Sequence, residues 1–144
     1  MNNKFKLFYL LFLSNWASCA VADLIVEDAY VRGPLPGVNT ISAYMKLSNT
    51  GDIALELTGA TSVVANNIML HTTINQNGLL QMQHVMKSII PAHGSLLLES
   101  GGLHLMLNGV NANLAVGSEV EIILEFSDGK TRHLMLPVRS VLDE

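Results

Sequence analysis

Val120, Ile122, Leu124 and Phe126 alternate with Glu119, Glu121 and Glu125 near the C-terminal end of the chain. A period of two residues is the mark of a β-strand with one face on a core and the other in water. The same signal recurs in short runs along the sequence, and each run is stopped by Gly, Pro, Asn or Asp. Leu24 to Arg32 is the first and ends at Gly33-Pro34-Leu35-Pro36-Gly37; Thr40 to Ser48 follows, with Ile41, Ala43, Met45 and Leu47 on one face, and Ile53 to Ala60 is the third. Ile68 to Ile74 and Gly78 to Met86 form a predicted hairpin about Asn75-Gln76-Asn77-Gly78, because Asn-Gly supplies the positive φ that tight hairpins need. Ser95 to Glu99 and Leu103 to Leu107 are split by Gly101-Gly102, and Lys130 to Val138 follows the Asp128-Gly129 turn. No segment carries a capped helical period beyond two turns. The predicted fold is therefore all-β, a Greek-key β-sandwich or barrel of eight or nine antiparallel strands.

The 144 residues suit one domain, and the first twenty are read apart from it. Lys4 and Lys6 precede the apolar run Leu7 to Leu13, and Ser18-Cys19-Ala20 gives a small-x-small cleavage site. That order is a secretory signal peptide over residues 1–20, with a mature domain over 21–144; cleavage after Ala22 is the alternative. The apolar run is shorter than the roughly 20 residues of a membrane span, so no stable membrane insertion is expected after cleavage. The chain has one cysteine, Cys19, and it lies in the signal. A lipoprotein reading would make Cys19 the acylated first residue, but Trp16 stands where such signals want an aliphatic side chain.

The mature domain is then expected to have neither disulfide nor thiolate, which excludes thiol nucleophiles and the blue-copper class of electron carriers. Removing residues 1–20 takes away two lysines and no acid, leaving six basic side chains against twelve acidic ones and a formal charge of −6. Nucleic acid is not an expected partner of such a surface. No Ser-His-Asp spacing, paired carboxylates in an apolar setting or open His/Glu zinc motif stands out, so an enzyme is not expected.

Four residues carry chemistry. His71, Met82, His104 and Met106 spell His-x10-Met-x21-His-x-Met. Imidazole nitrogen with thioether sulfur is a soft, uncharged donor set, suited to Cu(I) and poorly suited to Mg, Ca or Mn. On a strand His104 and Met106, at i and i+2, project from one face. His71 and Met82 fall on the two arms of the predicted hairpin, and Gly101-Gly102 lets the backbone approach just before His104. Met69, Met86 and Met135 are read as core filler and His93 and His133 as solvated. His84 shares a strand face with Met82 and Met86; a spare ligand or a group supporting one is possible there, and a surface polar residue is the preferred reading.

The segment Ile68 to Gly109 resembles the PCu(A)C family of copper chaperones, whose motif His-x10-Met-x21-His-x-Met is matched at every spacing. Ala43-Tyr44-Met45-Lys46-Leu47-Ser48-Asn49-Thr50-Gly51-Asp52 is similar to that family's AYxxLxNTGD segment. Val85 through Pro91-Ala92 and Gly101-Gly102-Leu103-His104-Leu105-Met106-Leu107 are similar to its V…IPAGG and PGGYHIMLM segments. The likeness runs from about Ala29 to Val138. The sequence departs from the pattern at Thr73, Leu80, Gln83 and Leu103, and residues 139–144 do not resemble the His/Met-rich tail of some members. The resemblance implies a cupredoxin-like β-sandwich that holds one Cu(I) per chain on His71, Met82, His104 and Met106. It further implies a monomeric periplasmic chaperone that delivers the ion to the CuA centre of oxidase subunit II or to a Sco-type thiol protein. A periplasmic buffer that sequesters copper, and a metal-free β-sandwich interaction module, are the alternatives.

Overall fold

Ten strands make up the computed structural model, which describes residues 24–111 and 113–141; the predicted signal peptide and Cys19 lie outside the described residues. In chain order they are β1 (Leu24–Arg32), β2 (Thr40–Asn49), β3 (Leu55–Thr61), β4 (Asn67–Gln76), β5 (Leu79–Val85), β6 (Ser88–Ile90), β7 (Ser95–Leu98), β8 (Leu103–Asn108), β9 (Glu119–Phe126) and β10 (Thr131–Arg139). They hydrogen-bond in the order β5-β4-β8-β2-β1-β10-β9-β3-β6, with β7 also on β2 and a short β3–β4 pairing that brings the two ends of the path together. The result is the all-β sandwich that the strand pattern predicts, with the cupredoxin-like form that the family resemblance implies. No helix among the described residues is long and apolar enough to cross a membrane.

Two details go beyond the sequence reading. Strand β6 is an addition to the nine expected runs: Ser88-Ile89-Ile90 is too short to show a period, yet it pairs with β3 and buries Ile90 completely. The pairing of β1 with β10, Val31 to Val138 and Arg32 to Arg139, is parallel, whereas the other pairings are antiparallel. It joins segments at opposite ends of the sequence, which no local signal announces.

Ile41, Ala43, Met45 and Leu47 of β2, Ile68 and Leu70 of β4, Leu105 and Leu107 of β8, and Val120, Ile122, Leu124 and Phe126 of β9 all point into one core. Met45 is the methionine that fills it. Met86 and Met135 are exposed, which corrects the reading of those two as core filler: Met86 lies just past the end of an edge strand, and Met135 falls on the wet parity of β10.

The Asn77-Gly78 turn closes β4 onto β5 as the dipeptide predicts. Both residues have positive φ, 55° and 83°, Gln76 faces Leu79 across a two-residue loop, and Gly78 N–H donates to Asn75 Oδ1 at 2.9 Å. At the end of β2 Asn49, 1% exposed, ties three segments together. Its Nδ2 donates to the carbonyls of Ile53 (2.8 Å) and Ile90 (3.3 Å), and its Oδ1 accepts from Gly51 N–H (2.9 Å). Thus one buried amide anchors the turn after β2 to β6. Replacing Asn49 by Ala leaves two carbonyls and one N–H without this partner, and is expected to cost about 2–4 kcal/mol of stability, measured by urea denaturation at unchanged slope.

Candidate metal centre

Strand β4 runs between β8 and β5, and its register decides what faces what. His71 is the direct partner of His104 on β8 and of His84 on β5. Directly opposed residues of antiparallel strands project from the same face, so the three imidazoles form a row across three strands. Residues two positions away share that face. Met69 on β4 lies opposite Met106 on β8, and Met82 on β5 lies opposite Thr73. Each of three neighbouring strands therefore carries one His and one Met on the same side. The intervening residues Leu70 and Leu105 are buried in the core, so the donor face is the outer one.

The sequence-predicted residues are not equally placed. His71 and His104 are brought together directly, with ring centroids 6.2 Å apart. Met106 stands beside His104, half-buried. Met82 sits diagonally from His71 on the edge strand and is 61% exposed; diagonal neighbours lie about 7–8 Å apart at the backbone, within reach of a long side chain. His84 is nearer to His71 than Met82 is in register, at 5.8 Å between centroids. Met69 is half-buried on the donor face, which corrects its reading as core filler. The other two histidines are exposed and hydrogen-bonded away from the row: His93 with Asp52 (2.7 Å) and His133 with Glu121 (2.8 Å).

His104, only 3% exposed, is held in one tautomer. Its Nδ1 lies 3.0 Å from the Gly102 carbonyl, and a carbonyl can only accept, so Nδ1 carries the proton and Nε2 keeps its lone pair. Gly102 O also accepts from Thr73 N–H (3.2 Å), and the tight turn that presents it needs Gly101 at φ 78°. The buried Nε2 of His104 has no hydrogen-bond partner, and neither has the buried Nδ1 of His71. Buried polar atoms are normally satisfied; two orphaned imidazole nitrogens on adjacent rings call for a shared ligand. With nitrogens about 2.0–2.1 Å from a metal, two imidazoles on one ion hold their centroids about 5–6.5 Å apart, and the His71–His104 separation falls in that range.

The surroundings select the ion. From Leu57 to Met86 the chain has no Asp, Glu, Lys or Arg, and the charges that flank this stretch, Glu56 and Lys87, neutralise each other at 3.1 Å. Among the described residues no three His, Cys, Asp or Glu side chains are grouped to hold a metal. Beside the imidazoles the row offers the thioethers of Met69, Met82 and Met106, a soft donor set that disfavours hard oxygen-seeking cations. On the inner side Tyr44 closes the row, its ring 6.3 Å from His104 and 5.3 Å from Tyr30.

The neutral, half-exposed His/Met face lies on a β-sandwich of the PCuAC-like fold. Residues 24–138 match the family described as "Putative lipoprotein LpqE-like", and the chain belongs to that family. A relative from Leifsonia xyli subsp. xyli with the same lipoprotein label, Lxx21020, is 36% identical over 115 residues, covering 79% of this chain and 68% of its own. The solution structure of CuI-DR1885 from Deinococcus radiodurans superposes with a TM-score of 0.69 at 34% identity, covering 85% of this chain and 81% of the other. The copper-bound PCuAC domain from PmoF2 has the same fold, with a TM-score of 0.70 at 21% identity over 84% and 96%.

Burial, and then the neighbouring imidazoles of His104 and His84, hold His71 below the ordinary imidazole pKa. The folded state thus binds fewer protons at His71 than the unfolded chain does. Stability falls as pH drops below the unfolded value and goes on falling until the depressed folded value is passed. Metal-free protein should lose more thermal stability between about pH 7.5 and pH 5 than its His71→Gln variant does; equal losses in two calorimetric series would remove this account of His71.

Proposed function

We propose that this chain is an exported copper carrier, which holds one Cu(I) on His71, Met82, His104 and Met106 and releases it to an acceptor with stronger donors. The observation that carries the reading is the pair of adjacent histidines with orphaned buried nitrogens, flanked on the same face by thioethers. The CuI-bound form of the Deinococcus radiodurans neighbour, 34% identical, supports it. Copper is cargo here, not a resident cofactor. Thioethers and neutral imidazoles bind Cu(I) without a thiolate, so an acceptor's cysteines can displace them one at a time. The acceptor that suits this chemistry is an apo-oxidase subunit II or a Sco-type thiol protein in the periplasm. Delivery, as opposed to sequestration, is tested by anaerobic transfer from the loaded protein to such an acceptor.

Substitution separates the two kinds of donor. Met82→Leu with Met106→Leu preserves volume and apolarity, at a stability cost below about 1.5 kcal/mol per site, and removes two sulfurs. The double variant should fold, bind Cu(I) more weakly in competition with a chromophoric chelator, and keep the wild-type pH slope. His71→Ala or His104→Ala should weaken binding and flatten the slope, because protons compete only for the imidazoles. Equal Cu(I) affinity in wild type and the double Met variant would sink the assignment.

The family description favours a second reading of the export signal. Ala17-Ser18-Cys19 would make Cys19 a lipid-bearing N-terminus, which tethers the carrier to a membrane surface while the domain stays in water. Intact mass distinguishes the two: a tethered protein begins at Cys19 with added acyl mass, and a freely exported one begins after Ala20 or Ala22 unmodified.

A further inference from the structure

We infer that His84 is a copper donor, and that with His71 and Met82 it forms an outer position on edge strand β5 through which the ion reaches and leaves His104 and Met106. The inference rests on the copper-carrier reading and concerns how the ion moves within that site. Its ground is the register: His84 is the direct cross-strand partner of His71, whereas Met82 faces Thr73. Direct partners lie closer than diagonal ones, so a ligand set that uses both His71 and Met82 already has His84 between its members. The two imidazole pairs are alike in spacing, 5.8 Å for His71–His84 and 6.2 Å for His71–His104, and both suit two nitrogens on one ion.

The two pairs differ in access. His104 is buried, while His84 and Met82 are exposed. Strand β5 carries Met82-Gln83-His84 and β8 carries His104-Leu105-Met106, so an N,S pair at i and i+2 lies on each side of His71. Three imidazoles are not gathered at one point among the described residues; the arrangement is instead two positions that share a central ring. A neutral imidazole offers one lone pair, so His71 serves one ion at a time. That ion keeps its bonds to His71 and Met82, exchanges His104 for His84 and releases Met106, passing from four donors to three with no change of oxidation state.

The test follows histidine ring resonances by ¹H–¹⁵N NMR as one equivalent of Cu(I) is added anaerobically, and then the rate at which a chromophoric chelator removes the ion. His84 should shift together with His71 and His104, and His93 and His133, hydrogen-bonded to Asp52 and Glu121, should not. In His84→Gln, removal should slow by about tenfold, a barrier increase of about 1.4 kcal/mol, since the exposed stepping position is lost; His93→Gln should leave the rate unchanged. An unshifted His84 beside shifted His71 and His104 overturns this inference alone. Removal from His84→Gln at the wild-type rate or faster, as for loss of an ordinary ligand, overturns the entry and exit role. If none of the three rings shifts, the copper reading fails with it.

Discussion

The register of β4 between β5 and β8 is the constraint on which the rest depends. Side chains alternate faces along a strand, so a slip of one residue against β8 would turn His71 into the core and put Leu70 in its place on the surface. What prevents the slip is apolar: Ile68 and Leu70 are buried with Leu105 and Leu107, and turning β4 over would expose its two large side chains at about 1.5–3 kcal/mol each. The core thus positions the donors from behind. The Asn77-Gly78 turn fixes the same register on the β5 side, and the Gly102 carbonyl, shared by Thr73 N–H and the His104 ring, pins the third strand.

A gradient of exposure follows from where these strands sit in the sheet. Strand β8 lies inside the path and β5 at its end, so the donors run from His104, enclosed next to Tyr44, to Met82 and His84 in water. The inner end supplies order, with a tautomer held by a backbone carbonyl. The outer end supplies access, and edge-strand side chains have few neighbours to restrain them. The absence of ionic side chains from Leu57 to Met86 leaves β4 and β5 without fixed charge, so in the proposed carrier selectivity rests on donor softness and not on charge.

Much of this was legible in particular residues. The i, i+2 spacing of His104 and Met106 gave their common face, Asn77-Gly78 gave the hairpin, and the alternation in Val120 to Phe126 gave an amphipathic strand. Strand β6 and the parallel β1–β10 pairing were not, because a three-residue strand has no period and long-range pairing leaves no local mark. His84 read as a surface residue because exposure on an edge strand and proximity to His71 have the same local sequence; only the strand partner distinguishes them. Met69 read as core filler and is on the donor face instead, since parity along β4 says which residues share a face without saying which face is dry.

By itself the sequence determined the donor chemistry and the strand parity: the residue types are soft and neutral whatever the fold, and a two-residue period follows from the backbone. The tertiary structure alone decided which strands are neighbours, and hence that His71 stands between His104 and His84. Neighbour choice is made by the summed burial of a core drawn from nearly every strand, a quantity no short segment contains.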